Sequence, residues 1–279
     1  MGPEDYKVYT LPVGEITRQH DLEFHGYADD SSNYVSFKLD KKTHFESAIS
    51  KVTQCTSDIK AWMTNNKLKL NDEKTEVLII VPPSASSDYP DLDVKIADAT
   101  VRTTNKAKGL GIIFDRNMLL AIEIENRCRT LLFHLRNIRA IRRFITQSAC
   151  EKLVHALVSS RLDYANAILA GLPKNRLKHL QNIQNIAARL VTLTPKYDHI
   201  SPVLRRLHWL PISARIEFKV ICLTFRIING LAPAYMRDLV CFKQTTRSLR
   251  SANKMLLVIP KTRTKMYGDR AFSAIAPRL

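Results

Sequence analysis

Long apolar runs are missing from this sequence: none exceeds five residues, at 77–81, 118–122 and 255–259. A membrane-spanning helix needs roughly 20, so no segment is expected to cross a bilayer. The start, Met1-Gly2-Pro3-Glu4-Asp5, has neither a basic nor an apolar leader region, and Tyr6 stands where a myristoylation signal has Ser or Thr. The expectation is an intracellular protein of the nucleus or cytoplasm, neither secreted nor held at a membrane. Cysteine is sparse too. Cys55, Cys128, Cys150, Cys222 and Cys241 lie at least 19 residues apart, with no Cys-x-x-Cys pair. That excludes a zinc module and a disulfide framework and points to buried thiols. There is no internal repeat, no glycine-rich phosphate loop and no Gly-x-Ser-x-Gly elbow, so a P-loop nucleotidase or a serine hydrolase has no support.

What is present is an ordinary globular composition, 45% hydrophobic and 25% charged over 279 residues, enough for a sizeable core. Acids are scarce in one half only. Residues 1–120 hold 15 Lys+Arg against 18 Asp+Glu, a net of −3, while residues 121–279 hold 28 against 8, a net of +20. A field of one sign confined to one half fits a polyanion partner, nucleic acid before others; a solvated basic surface is the plainer alternative.

Residues 21–38 read as two short aromatic and β-branched stretches around Asp29-Asp30-Ser31-Ser32, a hairpin with both aspartates at or near its tip. Thr43 then caps a helix whose Phe45, Ala48, Ile49, Val52, Ile59, Trp62 and Met63 recur at steps of three and four, and Asn65-Asn66 ends it. A buried strand is expected at 77–81, an exposed loop at 82–90, and short strands at 94–96 and 109–114. From residue 119 the pattern becomes helical: 119–134, 146–169 with Thr146 as cap, 174–193 and 212–229. The change of charge and the change of pattern coincide near residue 118. Residues 243–270 are basic, Ser/Thr-rich and weakly periodic, with one strand-like piece at 255–259.

Two adjacent carboxylates at a hairpin tip repel each other, and a divalent cation relieves that best. Asp is also a favoured turn residue, so Asp29-Asp30 alone reads equally as a solvated turn. The tetrapeptide Tyr27-Ala28-Asp29-Asp30 on a strand-turn-strand is more specific. It resembles the third catalytic motif of reverse transcriptases, and the flanking text is similar to the non-LTR (LINE-like) retrotransposon branch. Further matches follow in order. The stretch Trp62-Met63-Thr64-Asn65-Asn66-Lys67 leading to Asn71-Asp72-Glu73-Lys74-Thr75-Glu76 resembles the family's helix, Asn-x-x-Lys-Thr turn and strand. Lys108-Gly109-Leu110-Gly111-Ile112-Ile113-Phe114-Asp115 resembles the strand pair that grips the primer end. Weaker likenesses are Tyr9-Thr10-Leu11-Pro12, Arg161-Leu162-Asp163-Tyr164-Ala165-Asn166 and Leu207-His208-Trp209-Leu210-Pro211.

The resemblance implies an α+β chain. Residues 1–117 would be the C-terminal part of a polymerase palm, antiparallel strands with a packed helix. An all-α thumb-like region would occupy 118–240; beyond it, composition and weak periodicity point to a basic, poorly structured tail at 241–279. The implied activity is RNA-directed DNA polymerisation, nucleotidyl transfer from deoxynucleoside triphosphates to a DNA primer on an RNA template, with Mg²⁺ (Mn²⁺ as the alternative) as cofactor. Asp29 would bind metal directly and Asp30 would support the site. Lys74 would neutralise or protonate the leaving pyrophosphate, while Tyr27, Ala28, Asn71, Thr75, Gly109 and Gly111 would support the motifs. The third aspartate of the family has no counterpart in residues 1–26, where Asp5 and Asp21 are in the wrong context. The chain is therefore expected to be an element fragment, truncated at both ends and inactive alone. The alternatives are a non-catalytic nucleic-acid-binding module and an expressed element remnant.

Arg136, Arg139, Arg142 and Arg143 are expected on one helix face as a phosphate-tracking ridge, with Ile138, Ile141 and Phe144 opposite. His25 and Asp29 are four apart, but the local pattern is strand, so they are no metal pair. His134, His155, His179, His208, Trp209 and Tyr164 read as packed core residues.

Overall fold

The computed structural model describes residues 3–96, 99–243 and 256–279, and the chain divides into two compact units, Met1–Leu119 and Leu120–Leu279. The fold is α+β, with all six strands in the first unit among the described residues.

Two helices absent from the sequence reading open the first unit: α1 (Pro3–Tyr9) and α2 (Leu11–Gln19). Strands β1 (Glu23–Tyr27) and β2 (Asp30–Tyr34) then form the expected hairpin, and α3 spans Lys42–Asn65. Thr43 does not cap α3, which begins one residue earlier with Lys41 as its cap residue. The apolar stripe of α3 serves two cores. Cys55 and Ile59 pack with Val13 of α2 and Leu22, whereas Phe45 packs with Ile79, Val81 and Tyr89. Burial pushes the Cys55 thiol up from its ordinary pKa.

The strand expected at 77–81 is not a ladder. Its one bridge is Leu78 with Thr104, and Ile80 is exposed while Ile79 and Val81 are buried. Apolar residues on both faces read as a doubly covered strand, but only one face is covered here. The loop at 82–90 is not wholly exposed either, because the buried Tyr89 ring packs on Phe37 and Phe45 at centroid distances of 5.4 and 5.1 Å. Strands β3 (Asp93–Ile96) and β4 (Ala99–Arg102) form a second antiparallel hairpin, and β5 (Lys106–Gly109) and β6 (Ile112–Asp115) a third. The single strand expected at 109–114 is thus a turn between two. Leu110 and Gly111 both have positive φ, 48° and 79°, the two-residue turn that matches the twist of the flanking strands.

The second unit is helical: α4 (Ala121–Ile141), α5 (Gln147–Val154), α6 (Ser160–Asp163), α7 (Lys174–Thr192), α8 (Ile200–Arg206), α9 (Ile212–Ile228) and α10 (Phe272–Ile275). Thr146 does cap α5, its Oγ1 accepting the Ala149 N–H at 3.2 Å. A π turn, His155–Ser159, joins α5 to α6. The helix expected to reach residue 169 breaks at Tyr164, and a 3-10 turn, Asn166–Leu169, follows. At the centre lies α7, packed against α4, α5, α8 and α9 through Leu180, Ile183, Ala187 and Val191.

The two weak sequence likenesses in this unit meet in space. Arg215 Nη1 donates to Asp163 Oδ2 at 2.6 Å, and the Leu210 carbonyl accepts from Arg215 Nε and Gln184 Nε2 at 2.9 and 2.8 Å. Trp209 is buried as expected, but Tyr164, His155, His179 and His208 are exposed and His134 is half-buried. Cys55 and Cys150 are buried thiols, Cys128 and Cys222 half-buried and Cys241 exposed. Of the basic tail, 244–255 lies outside the described residues. Leu257 bridges Phe242, and residues 268–279 are not loose: Ala274 and Ala276 are buried, and the last turn packs on α9. No helix is long and apolar enough to cross a membrane among the described residues.

Candidate nucleic-acid interface and carboxylate pair

The hairpin tip is a two-residue loop. Tyr27 pairs with Asp30, so Ala28 and Asp29 make the turn and Asp30 opens β2. Ala28 adopts φ +54°, a conformation that costs an L-residue roughly 1–2 kcal/mol. Both carboxylates are exposed, and neither makes a hydrogen bond or ion pair among the described residues. They line a cleft of about 300 Å³ whose other wall is α1 and α2, with Lys7 and Arg18 among its residues. Gly14 makes this wall close: a Cβ there would stand 3.0 Å from the Phe24 ring of β1. Gly14→Val is expected to push Phe24 and its strand away and to cost about 1–3 kcal/mol by thermal unfolding. A loss below 0.5 kcal/mol, on the order of an ordinary surface change, would mean the ring moves freely.

Asn71 and Thr75 hold a tight turn, Asp72–Lys74. The Lys74 N–H donates to Asn71 Oδ1 at 3.3 Å, and Thr75 Oγ1 donates to the Asn71 carbonyl at 2.9 Å. Next to it, Glu76 Oε2 accepts the Lys108 N–H at 2.9 Å, tying this turn to the strand that ends in Gly109. The second and third sequence matches are therefore neighbours. Lys74 itself is exposed and does not line the cleft of Asp29 and Asp30. No group of three His, Cys, Asp or Glu able to hold a metal forms among the described residues. Asp21 is engaged elsewhere, with Lys51 Nζ at 2.9 Å, and that hydrogen bond holds its carboxyl below the ordinary value. His25 and Asp29 lie on the hairpin, not on one helix face.

No family model, no curated protein and no solved structure matches the chain.

The arginine ridge needs correction. Arg136 and Arg139 are exposed on α4 and form no ion pair among the described residues, and Arg143 is exposed beyond its end. Arg142 instead turns inward. Its guanidinium donates to the carbonyls of Leu190 and Val191, both at 2.9 Å, and of Ile145 at 3.0 Å. It closes the last turn of α7, whose final carbonyls have no partner within their own helix. Ile138 is buried as expected, but Ile141 and Phe144 are exposed, and so is Phe133 on α4. Arg143 Cζ stands 4.6 Å from the Phe144 ring centroid. Phe144, expected opposite the arginines, is exposed because the chain leaves α-helical geometry at Arg142–Phe144, whereas the exposure of Phe133 in the middle of α4 has no local signal in the sequence.

Proposed function

We propose that the chain is a reverse transcriptase fragment of the non-LTR (LINE-like) retrotransposon type, the C-terminal part of the palm followed by the thumb. The observation that carries this reading is the Tyr27-Ala28-Asp29-Asp30 turn, with two adjacent unpaired carboxylates opening on a cleft. The Asn71 to Thr75 turn and the Gly109 to Gly111 hairpin support it. Hard carboxylate oxygens at one tip suit Mg²⁺ or Mn²⁺. Asp29 and Asp30 would hold the ion, and when bound it supplies positive charge to a reacting phosphate. The palm hairpin thereby presents acid, while the second unit, with its excess of 20 positive charges, holds template and primer phosphates.

Two carboxylates leave a metal ion under-ligated, so the isolated chain is expected to bind nucleic acid without extending a primer. The exposed Arg136, Arg139 and Arg143 favour this second reading, a non-catalytic nucleic-acid-binding module, for the chain by itself. The test is Mg²⁺-dependent extension of a labelled DNA primer on an RNA template, with Asp29→Ala beside it and binding followed over a salt series. Extension abolished by Asp29→Ala would mean another carboxylate completes the site. Failure to extend, with binding that weakens steeply with salt, leaves the binding module. Failure of both removes the functional reading and leaves only the motif likeness.

A further inference from the structure

Between Glu125 and Glu151 the chain has no acid and six arginines. The exposed side of α4 in this stretch carries more than charge. Phe133 is 59% exposed and Phe144 is 73% exposed, while Leu131, Leu135 and Ile138 bury the opposite side. Residues 133, 136, 137 and 140 recur at steps of three and four on α4 and share one exposed face, and Phe144 is exposed in the 3-10 turn Arg142–Phe144 that follows α4. Arg136 follows Phe133 by three residues on this face, and Arg143 stacks on the Phe144 ring. The Phe133 ring stands T-shaped to His134 at 5.5 Å and the Phe144 ring lies against Arg143, and both leave most of their apolar surface in solvent beside basic side chains. Phenylalanine and arginine also occur together at protein contacts, but the lack of any acid between Glu125 and Glu151 and the excess of 20 positive charges in residues 121–279 favour a polyanion.

We infer that this face of α4 and the turn that follows it bind a single strand of nucleic acid, with Phe133 and Phe144 stacking on bases and Arg136 and Arg143 holding phosphates. This rests on the nucleic-acid reading of the second unit and goes beyond it by naming the form of the ligand. Arginines alone would accept a duplex equally. A phenyl ring stacks only on a base whose face is uncovered, which single strands offer and duplexes do not. Eight residues of α-helix and three of 3-10 turn separate the two positions by roughly 18 Å along the chain axis. At about 3.4 Å per stacked nucleotide that distance spans about five nucleotides, within the range of sites that track a single strand.

The experiment is fluorescence anisotropy of the full chain with a labelled oligonucleotide of about 12 nucleotides, single-stranded and as a hairpin duplex, over a salt series. Phe133→Ala with Phe144→Ala is measured beside Arg136→Gln with Arg143→Gln. The rings are exposed, so circular dichroism and melting of the phenylalanine variant are expected to match the parent. The single strand is expected to bind tighter than the duplex. Loss of both rings should weaken it by about 20-fold or more with an unchanged salt slope. Loss of both arginines should flatten the slope by about 1.4. Equal affinity for duplex, or indifference to the rings while the arginines matter, overturns the single-strand assignment and leaves the nucleic-acid reading standing. No binding of either ligand overturns both. A phenylalanine variant that keeps its affinity but loses self-association would place the rings in a protein contact and also end the proposal.

Discussion

Arg127→Ala is expected to lower the stability of the second unit by about 3–5 kcal/mol, because it leaves a buried carboxylate without its cation. Arg127 and Glu123 are both more than nine-tenths buried, one helical turn apart on α4. Nε and Nη2 of the arginine donate to Glu123 Oε1 at 2.9 and 2.7 Å, and Nη1 donates to the Tyr164 carbonyl at 3.1 Å. The third contact is the informative one. It fixes the point where the helix through α6 breaks, since Tyr164 is extended and Ala165 has φ +47°. Removing the guanidinium therefore costs the pair and also frees this corner. Glu123→Leu combined with Arg127→Leu should recover the part of the loss that comes from the buried charge, but not the contact with the Tyr164 carbonyl. Urea unfolding followed by circular dichroism measures both variants. A loss under about 1 kcal/mol for Arg127→Ala would mean that water reaches Glu123 and that the pair behaves as a surface one.

What could be read in the sequence was what depends on near neighbours. The Tyr27 to Asp30 turn is legible because a hairpin is set by a few adjacent residues, and Thr146 because a cap acts on the N–H three residues on. Arg142 was misread for the opposite reason. Its partners are carbonyls 48 and 49 positions away, and no local pattern shows where the end of α7 will come. The segment at 77–81 failed similarly: a run of five apolar residues cannot say how many of its faces will be covered. The cleft beside Asp29 was legible only on the hairpin side. Its other wall is α1 and α2, whose short amphipathic spans give little periodicity, and Lys7 and Arg18 reach it through packing that Gly14 permits.

Helix α9 sets the same limit on a larger scale, and a pair of substitutions separates what burial decides from what composition suggests. Ile216, Val220 and Ile227 point inward, while Phe218, Ile221 and Phe225 on the same helix are exposed, so apolarity alone assigns no face. Phe225→Ser is expected to change stability by no more than about 0.5 kcal/mol, despite the size of the ring removed. Leu180→Ala on α7 is expected to cost about 2–5 kcal/mol. Leu180 has no exposed surface and lies on the helix against which α4, α5, α8 and α9 all pack, so α7 is held on several sides and cannot shift freely to fill the vacated volume. Leu180→Met keeps the volume and should cost less than about 1.5 kcal/mol. The urea midpoint of each variant measures these effects. If Phe225→Ser proves as damaging as Leu180→Ala, the outer face of α9 is covered in solution; if Leu180→Ala is nearly silent, α7 is not the centre of this unit.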